Sequence, residues 1–390
     1  MYQLCLALSE AIAQMTTTTT APHPVFMRVP FLDLRVTDPT LRKDMLDAVA
    51  AVLDHGRVLL GPEVESFEED LAAYCGTRYA VGVGSGSIAI FYALKAAGIQ
   101  PGDEVITSAM SFIGTANGIA LTGAKPVFVD TRADLTIDPA RVAEAITPKT
   151  KAIMPVHFTG KLCAMDELSA IAARHGLMLI EDAAPAIGAS LRGHKAGSFG
   201  IAGCLSINPM KLLNALGESG AVLTNDEEVR DRVVALRYNG LINREYCHFI
   251  STNGRIDTIQ AAVLRKRLPL LEDVIAKRRK IAALYQDRLS RFVETPHDSA
   301  GGRDVYYTFS VQTDARDALM KYLGDCGVET KIQHPLLMPE HPAYSESFNP
   351  ADFPIAKRAT QRVLCIPAHE NMAWEQAEHV AACVEAFFTR

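Results

Sequence analysis

Between residues 79 and 224, short runs of β-branched and apolar residues alternate with longer amphipathic stretches. Helical spacing of the apolar residues predicts helices between most of these runs, for example from Ile88 to Ala97. Strands that alternate with helices form parallel sheets whose two faces are both covered. We therefore predict an α/β fold with a mostly parallel central sheet flanked by helices. The predicted strands are Tyr79–Val83, Glu104–Thr107, Pro126–Val129, Ala152–Val156, Leu177–Ile180, Cys204–Ile207 and Gly220–Thr224.

The C-terminal third of the chain has a different pattern. A basic and apolar stretch, Asp257–Leu289, predicts one long helix. Two short runs, Tyr307–Gln312 and Thr330–Gln333, predict strands, and a closing helix is predicted from Trp374. This part of the chain is therefore expected to mix strands and helices without the regular alternation seen earlier.

The change in pattern predicts two domains, with the boundary inside the long predicted helix. A large α/β domain is expected over residues 28–270 and a smaller α+β domain over residues 271–390. Residues 1–27 contain the low-complexity run Thr16–Thr20 and lack the basic and long apolar regions of a signal peptide. They are predicted to be a disordered extension.

Composition excludes several classes of partner. The 390 residues carry a formal net charge of −6, and their lysines and arginines are scattered, so nothing predicts binding to nucleic acid or to an anionic membrane. No stretch has the apolar length of a membrane span. The eight cysteines form no CxxC pair and have no metal-type spacing, which predicts reduced thiols in the cytoplasm and no metal site.

A lysine and an aspartate each follow a predicted strand in the middle of the chain. Asp182 ends the run Leu179-Ile180-Glu181-Asp182, and Lys211 comes shortly after the strand that ends near Ser206. A lysine amine can form a Schiff base with the aldehyde of pyridoxal phosphate, and an aspartate can keep the pyridine nitrogen protonated so that the ring accepts electrons. Taken alone, a lysine after a strand is more often solvated, and an aspartate after a strand more often caps the next helix. Together the two residues indicate a pyridoxal phosphate enzyme.

A glycine-rich loop, Gly82-x-Gly84-x-Gly86, lies between a predicted strand and a predicted helix. Alone it fits a structural turn, a monophosphate cradle or a dinucleotide site equally well. The dinucleotide fingerprint requires a third glycine where Ser87 stands and an acidic residue at the end of the second strand, where Ser108 stands. With Asp182 and Lys211 downstream, the favoured ligand is the phosphate of pyridoxal phosphate, held at a helix N-terminus.

In order and spacing, these motifs resemble those of the DegT/StrS group of sugar aminotransferases, which have the aspartate aminotransferase fold. The resemblance extends from Val29 to the C-terminus. It implies pyridoxal 5′-phosphate as the cofactor, with Lys211 and Asp182 as catalytic residues. The cofactor contacts it implies are Gly86, Ser87 and Ser206 at the phosphate, Phe112 stacked on the ring, Asp182 at the pyridine nitrogen, Ala184 packed against the ring, and Lys211.

The resemblance also implies an obligate homodimer with shared active sites. Asn253 and Arg255 match an Asn-x-Arg element that enters the neighbouring subunit's site, where Asn253 contacts the cofactor. Arg255 is a candidate clamp for the carboxylate of an amino acid donor, because a guanidinium binds carboxylate bidentately. A salt bridge at the subunit interface is an equally good interpretation of Arg255.

Three positions depart from the family pattern. Pro185 stands where a glutamine or histidine often lies near the phenolic oxygen of the cofactor, and proline has no side-chain donor. Glu218-Ser219-Gly220 replaces a motif with a glycine pair. Gln333-His334-Pro335 stands where His-Tyr-Pro is common, next to the substrate, which makes His334 a candidate substrate contact.

Together these features predict an aminotransferase that moves an amino group from an amino acid, expected to be L-glutamate, to a keto sugar linked to a nucleotide, in amino-sugar biosynthesis. A pyridoxamine-dependent sugar dehydratase, a cyclitol aminotransferase and a non-catalytic cofactor-binding regulator are the alternatives. Lys211 argues against the dehydratase, in which histidine replaces the lysine. His157, His341 and Lys331 are weaker site candidates, and Lys331 would meet a nucleotide phosphate if it is not simply solvated.

Overall fold

The computed structural model describes residues 27–243 and 245–390. Its helices are α1 (Pro39–His55), α2 (Pro62–Cys75), α3 (Gly86–Ala96), α4 (Gly114–Ala120), α5 (Pro139–Glu144), α6 (Met165–His175), α7 (Glu227–Leu236), α8 (Thr258–Arg267), α9 (Leu271–Leu289), α10 (Arg316–Asp325), α11 (Pro354–Arg362) and α12 (Trp374–Phe388). Short 3₁₀ helices cover Leu268–Leu270, Met338–Glu340, Ser345–Ser347 and Pro350–Asp352. No helix within the described residues is long and apolar enough to cross a membrane.

Fourteen strands lie within the described residues. They are β1 (Tyr79–Val83), β2 (Glu104–Ser108), β3 (Lys125–Val129), β4 (Thr150–Met154), β5 (Met178–Asp182), β6 (Ser190–Leu191), β7 (His194–Lys195), β8 (Ala202–Ser206), β9 (Gly220–Thr224), β10 (Leu241–Ile242), β11 (Tyr246–Cys247), β12 (Gly302–Arg303), β13 (Phe309–Gln312) and β14 (Val363–Ile366).

Seven of the strands form the central sheet, in the order β1-β9-β8-β5-β4-β2-β3. Strand β9 pairs antiparallel with both of its neighbours, and the other pairs are parallel. Because β9 is reversed, β1 runs in the same direction as β8 and β5. The mostly parallel sheet predicted from the alternating pattern is confirmed.

Each face of the sheet is covered by its own hydrophobic core, because side chains alternate between faces along a strand. On β2, Val105 packs into one core and Ile106 into the other. The core on the first face includes Tyr92 and Leu94 of α3, and the core on the second includes Phe67 and Leu71 of α2. Burial on both faces explains why these strands are almost uninterrupted apolar runs.

The carboxyl ends of β1, β2, β5 and β8 meet at one edge of the sheet. In open α/β sheets, ligands bind outside this edge, where loops leave the strands. The glycine-rich loop follows β1, and Asp182 is the last residue of β5. The turn that carries Lys211 follows β8. The topology therefore brings the glycine-rich loop, Asp182 and this turn to a single edge.

Two predicted elements of the C-terminal third are wrong in detail. The helix predicted over Asp257–Leu289 is two helices, α8 and α9, separated by the 3₁₀ turn Leu268–Leu270. Pro269 lies in this turn, and proline disfavours a continuous helix because it has no N–H and its ring crowds the preceding turn. The strand predicted at Thr330–Gln333 is a single bridge between Lys331 and Cys365.

A third core lies in the C-terminal part of the chain, around Tyr285, Phe309 and Leu364. Helix α9 contributes to both regions, with Leu271 and Ile275 in the core beneath the central sheet and Tyr285 in the C-terminal core. The domain boundary near residue 270 stays a prediction. The predicted extension over residues 1–27 lies outside the described residues, apart from Met27.

Candidate active site

A cavity of about 520 Å³ opens at the carboxyl edge of the sheet. It brings together the predicted site residues Gly86, Ser87, Phe112, Asp182, Ala184, Ser206, Lys211 and His334. Other residues that line it include Ser111, Thr115, Phe158, Pro185, Glu218, Tyr307, Lys331 and Gln333. A larger groove of about 780 Å³ lies elsewhere, beside the start of α1, and contains neither Asp182 nor Lys211. The chemistry predicted from the sequence therefore converges on the smaller cavity.

Asp182 lies on the floor of the cavity with 4% of its surface exposed. Thr115 donates a hydrogen bond from Oγ1 to Oδ2 of Asp182 at 2.7 Å, and the Ala184 amide donates to Oδ1 at 3.2 Å. Burial raises the pKa of the Asp182 carboxyl, while these hydrogen bonds and the charge of Lys211 oppose the rise. The carboxyl group is thus fixed in position and ready to bind a protonated ring nitrogen.

Glu181, the preceding residue, points to the opposite face of the sheet and is fully buried. Its carboxylate accepts hydrogen bonds from the amides of Gly197, Phe199 and Gly200 at 2.7–3.0 Å. His157 Nε2 lies 3.1 Å from Glu181 Oε2, and the Cys163 amide donates to His157 Nδ1 at 3.3 Å. His157 therefore has a structural role behind the site instead of facing a cofactor.

The turn after β8 presents Lys211 to the cavity. Asn208 accepts a hydrogen bond from the Met210 amide at 2.8 Å on Oδ1 and from the Lys211 amide at 2.9 Å on its carbonyl oxygen. Asparagine favours such turns because its side chain bonds to the backbone two residues ahead. The Lys211 Nζ lies 4.2 Å from the ring centre of Tyr307, a contact between residues 96 positions apart that no sequence motif indicated.

The glycine-rich loop forms a cradle at the N-terminus of α3. Ser85 caps the helix, and its Oγ accepts a hydrogen bond from the Ile88 amide at 3.2 Å. A Cβ atom on Gly86 would lie 2.6 Å from the Cβ of Ser206, so no larger residue fits there. The first amides of α3, which lack partners within the helix, and the Ser87 and Ser206 side chains together form a site suited to a phosphate.

An aromatic group forms a second wall of the cavity. The Phe112 side chain is 58% exposed, although it is apolar, and its ring centre lies 5.8 Å from that of His334. The His334 ring also lies 5.5 Å from Phe158. Burial, followed by the nearby charges of Lys211 and Lys331, lowers the pKa of His334 to about 4. At neutral pH His334 is therefore an uncharged side chain in the cavity.

The backbone of His334 is strained. Its φ angle is +53°, a region that residues other than glycine rarely adopt. Strain of this kind persists where the surrounding structure fixes the residue, and it concentrates at functional sites.

Asn253 and Arg255 do not line the cavity of their own chain. Arg255 Nε donates to Asn253 Oδ1 at 2.9 Å, and its guanidinium lies 4.7 Å from the ring centre of Tyr238. The segment between them packs behind the cradle, where the Gly84 amide donates to the Gly254 carbonyl at 2.8 Å. The roles predicted for Asn253 and Arg255 require a second chain and stay predictions.

The chain belongs to the DegT/DnrJ/EryC1/StrS aminotransferase family, which it matches over residues 39–385. The resemblance found in the sequence motifs is thereby confirmed. The family, the fold and the cavity together define a pyridoxal phosphate-dependent aminotransferase.

Three similar proteins illustrate the relationship. The erythromycin biosynthesis sensory transduction protein EryC1 of Saccharopolyspora erythraea is 41% identical over 92% of this chain and 100% of its own length. The dTDP-3-amino-3,4,6-trideoxy-α-D-glucose transaminase of Streptomyces venezuelae is 40% identical over 93% of this chain and 97% of its own. The crystal structure of NtdA from Bacillus subtilis with bound cofactor PMP superposes with a TM-score of 0.87 at 31% identity, covering 93% of this chain and 86% of that one.

The cavity fits pyridoxal phosphate on its own geometry. A Cβ atom on Gly86 would collide with Ser206, so the helix begins at the cradle without a side chain in the way, and the buried Asp182 carboxyl has an acceptor oxygen for a ring nitrogen. Lys211 extends an amine into the same cavity, and Phe112 exposes an aromatic ring. The phosphate, the ring nitrogen, the ring face and the aldehyde of the cofactor therefore each have a matching group in the cavity, whereas Pro185 offers no side-chain donor to the phenolic oxygen.

The lowered pKa of His334 predicts a measurable dependence of stability on pH. Between its usual pKa of 6.5 and the lowered value of about 4, the folded protein binds fewer protons at this residue than the unfolded chain. The free energy of unfolding must then fall as the pH decreases through this window. Replacing His334 with Asn removes this effect, and asparagine tolerates the positive φ angle.

We expect the wild-type protein to lose about 2 kcal/mol more stability than His334→Asn between pH 7.5 and pH 4.5, measured by urea unfolding. His175→Asn, a substitution of an exposed histidine at the end of α6, controls for the loss of a histidine. Equal losses in the wild-type protein and His334→Asn would show that His334 is not held neutral in the fold.

Proposed function

We propose that this protein transfers an amino group from L-glutamate to a keto sugar linked to a nucleotide, in the biosynthesis of an amino sugar. We also propose that it is a cytoplasmic homodimer with shared active sites. The observation that carries the proposal is the convergence of Lys211, Asp182 and the Gly86 cradle on one cavity. The acceptor class is supported by the name of the similar Streptomyces venezuelae protein, a transaminase of a dTDP-linked sugar.

Bound pyridoxal phosphate supplies an electron sink for the carbon that loses a proton and carries the amino group from donor to acceptor. The residues of the chain do the remaining work. Lys211 Nζ would anchor the cofactor and, when free, would take the proton from the donor Cα and pass it to the C4′ carbon of the cofactor. Asp182, held by Thr115, keeps the ring nitrogen protonated. Gly86, Ser87 and Ser206 hold the phosphate, which orients the reacting atoms.

A non-catalytic regulator is the competing function, because the similar EryC1 protein is named as a sensory transduction protein. A regulator that only binds the cofactor needs the phosphate cradle but not a reactive amine beside a buried carboxyl. In this chain Lys211 reaches the cavity and Asp182 is fixed by two hydrogen bonds. The presence of both the Lys211 amine and the fixed Asp182 carboxyl therefore favours an aminotransferase over a regulator.

Exposed apolar side chains in the segments that carry Lys211, Asn253 and Arg255 support a second copy of the chain as the partner. Met210 is 46% exposed and Leu216 is 54% exposed, and both lie in the segment that carries Lys211. Ile250 is 93% exposed and follows the β10–β11 hairpin, close to Asn253 and Arg255. Large apolar side chains left this exposed, in segments predicted to meet a second chain, support a surface that a partner covers.

The catalytic assignment predicts a visible absorption band in the purified protein, from the cofactor linked to Lys211. Glutamate should convert this band to that of the pyridoxamine form. Lys211→Ala should still bind the cofactor through the cradle and Asp182, but its turnover should fall by at least about three orders of magnitude, because both the covalent anchor and the proton carrier are lost. Lys195→Ala, which lies outside the cavity, is the control.

Two outcomes would contradict the assignment. A protein that stays colourless after addition of pyridoxal phosphate would not be a transaminase of this kind. Near-normal transamination by Lys211→Ala would show that another lysine carries the reaction.

The shared-site proposal predicts complementation between two inactive chains. In a hybrid dimer of Lys211→Ala with Arg255→Ala, one site carries both defects and the other carries neither, because Arg255 serves the partner's cavity. Mixing the two variants under conditions of subunit exchange should therefore restore up to about half of the activity per hybrid dimer. Each variant subjected to the same exchange alone is the control. If exchange is demonstrated by mass and the hybrids remain inactive, Arg255 serves its own chain.

A further inference from the structure

Two lysines line the described part of the cavity, and only one of them has a role in the proposed reaction. Lys211 anchors the cofactor, whereas Lys331 lies on the wall formed by the segment from Lys331 to His334. The carboxyl groups that line the same cavity are Asp182 on the floor and Glu218. Asp182 is held by Thr115, and Glu218 Oε1 accepts a hydrogen bond from Asn208 at 3.2 Å.

The Lys331 ammonium group has no counter-ion among the described residues, since no carboxylate of theirs lies within 4.0 Å of Nζ. Glu329, two positions earlier, forms an ion pair with Arg28 at 2.7 Å instead. Lys331 nevertheless acts electrostatically on the cavity, because its charge is one of the causes of the lowered pKa of His334. It is an uncompensated positive charge directed toward a binding site.

The backbone beneath this lysine is firmly held. The Lys331 amide donates to the Cys365 carbonyl at 3.0 Å, and the Cys365 amide donates to the Lys331 carbonyl at 2.9 Å. Cys365 lies in β14 and is fully buried. Cys365 Sγ also donates a weak hydrogen bond to Gln333 Oε1 at 3.7 Å. The backbone of Lys331 is therefore fixed, while the residue as a whole is exposed.

The position of Lys331 restricts the anion that it can bind. The cofactor phosphate belongs to the cradle at the N-terminus of α3. The carboxylate of an amino acid donor is attached to the reacting Cα, so it must lie close to Lys211, which is half-buried, whereas Lys331 is exposed. An anion at the solvent-exposed wall is instead one that lies several bonds away from the reacting carbon. In a nucleotide-linked sugar, the diphosphate occupies that place.

We infer that Lys331 binds the diphosphate of the acceptor and so selects nucleotide-linked keto sugars over free ones. The inference rests on the proposed function, which it refines by naming the residue that recognises the phosphate groups. A lysine ammonium is well suited to this task, because it is a compact charge with three donors that can follow a flexible diphosphate. Lys331 is thus a specificity residue that does not take part in the proton transfers.

The test uses holoenzyme of the wild-type protein, Lys331→Gln, Lys331→Arg and Lys151→Gln. Lys151 is an exposed lysine on β4 outside the cavity, and its substitution removes the same charge. The probes are dTDP and UDP, with thymidine and uridine as the matched compounds without phosphate. Dissociation constants are measured by calorimetry at two salt concentrations, and the glutamate half-reaction is followed separately by absorption.

Of dTDP and UDP, one will bind the wild-type protein more tightly. We expect Lys331→Gln to raise the dissociation constant of that compound by about tenfold, and Lys331→Arg to change it by no more than about threefold. Added salt should reduce the wild-type affinity more than that of Lys331→Gln. Binding of the nucleosides and the KM for glutamate should not change in Lys331→Gln. Lys151→Gln should match the wild-type protein in every measurement.

Other results would overturn the inference in distinguishable ways. If the wild-type protein and Lys331→Gln bind the diphosphates equally well, Lys331 does not recognise phosphate, although the proposed function stands. If Lys331→Gln raises the KM for glutamate and leaves diphosphate binding unchanged, Lys331 binds the donor carboxylate. If the wild-type protein binds neither dTDP nor UDP and accepts only free keto sugars, the nucleotide-linked acceptor is wrong and the inference falls with it.

Discussion

The parallel pairing of β5 with β8 is the constraint on which the site depends. The pairs Ile180–Ala202 and Asp182–Cys204 fix the register of the two strands, so their carboxyl ends finish at the same edge of the sheet. Asp182 ends one strand, and the turn that carries Lys211 leaves the other. A slip of one residue would turn Asp182 toward the opposite face, because side chains alternate along a strand. Asp182 and Lys211 therefore lie close together because of the backbone hydrogen bonds between β5 and β8, which do not require a ligand.

Two adjacent carboxyl groups, Glu181 and Asp182, are buried on opposite faces of the sheet. A buried carboxylate is costly unless it is well hydrogen-bonded. Glu181 meets this condition with three backbone amides and His157, and it ties the loop that precedes β8 to the end of β5. Asp182 has fewer protein donors and faces the cavity. The fully bonded carboxylate stabilises the scaffold, and the less fully bonded one is left to bind a ligand.

The sequence predicted the alternating strands and helices of the central sheet and most of the cavity, because these depend on local pattern and short motifs. Asp182, Lys211 and the loop at Gly86 each have a recognisable local context. The contacts of Thr115 and Tyr307 did not emerge from the sequence, since each joins residues far apart in the chain. The break between α8 and α9 lies at Pro269, because proline disfavours a continuous helix. The prediction of one long helix relied on the basic and apolar pattern and overlooked this proline. The roles predicted for Asn253 and Arg255 require a second chain, so the structure of one chain does not test them.

In the proposed reaction Lys211, and no other lysine, carries the cofactor. The most direct measurement is to reduce the holoenzyme with sodium borohydride, which fixes the link between cofactor and lysine, and to map the modified peptide by mass spectrometry. The structure predicts one pyridoxyl group per chain, attached to Nζ of Lys211, because this amine lies between the Gly86 cradle and Asp182 in one cavity. Modification of Lys331, the other lysine that lines the described cavity, in place of Lys211 would contradict the account.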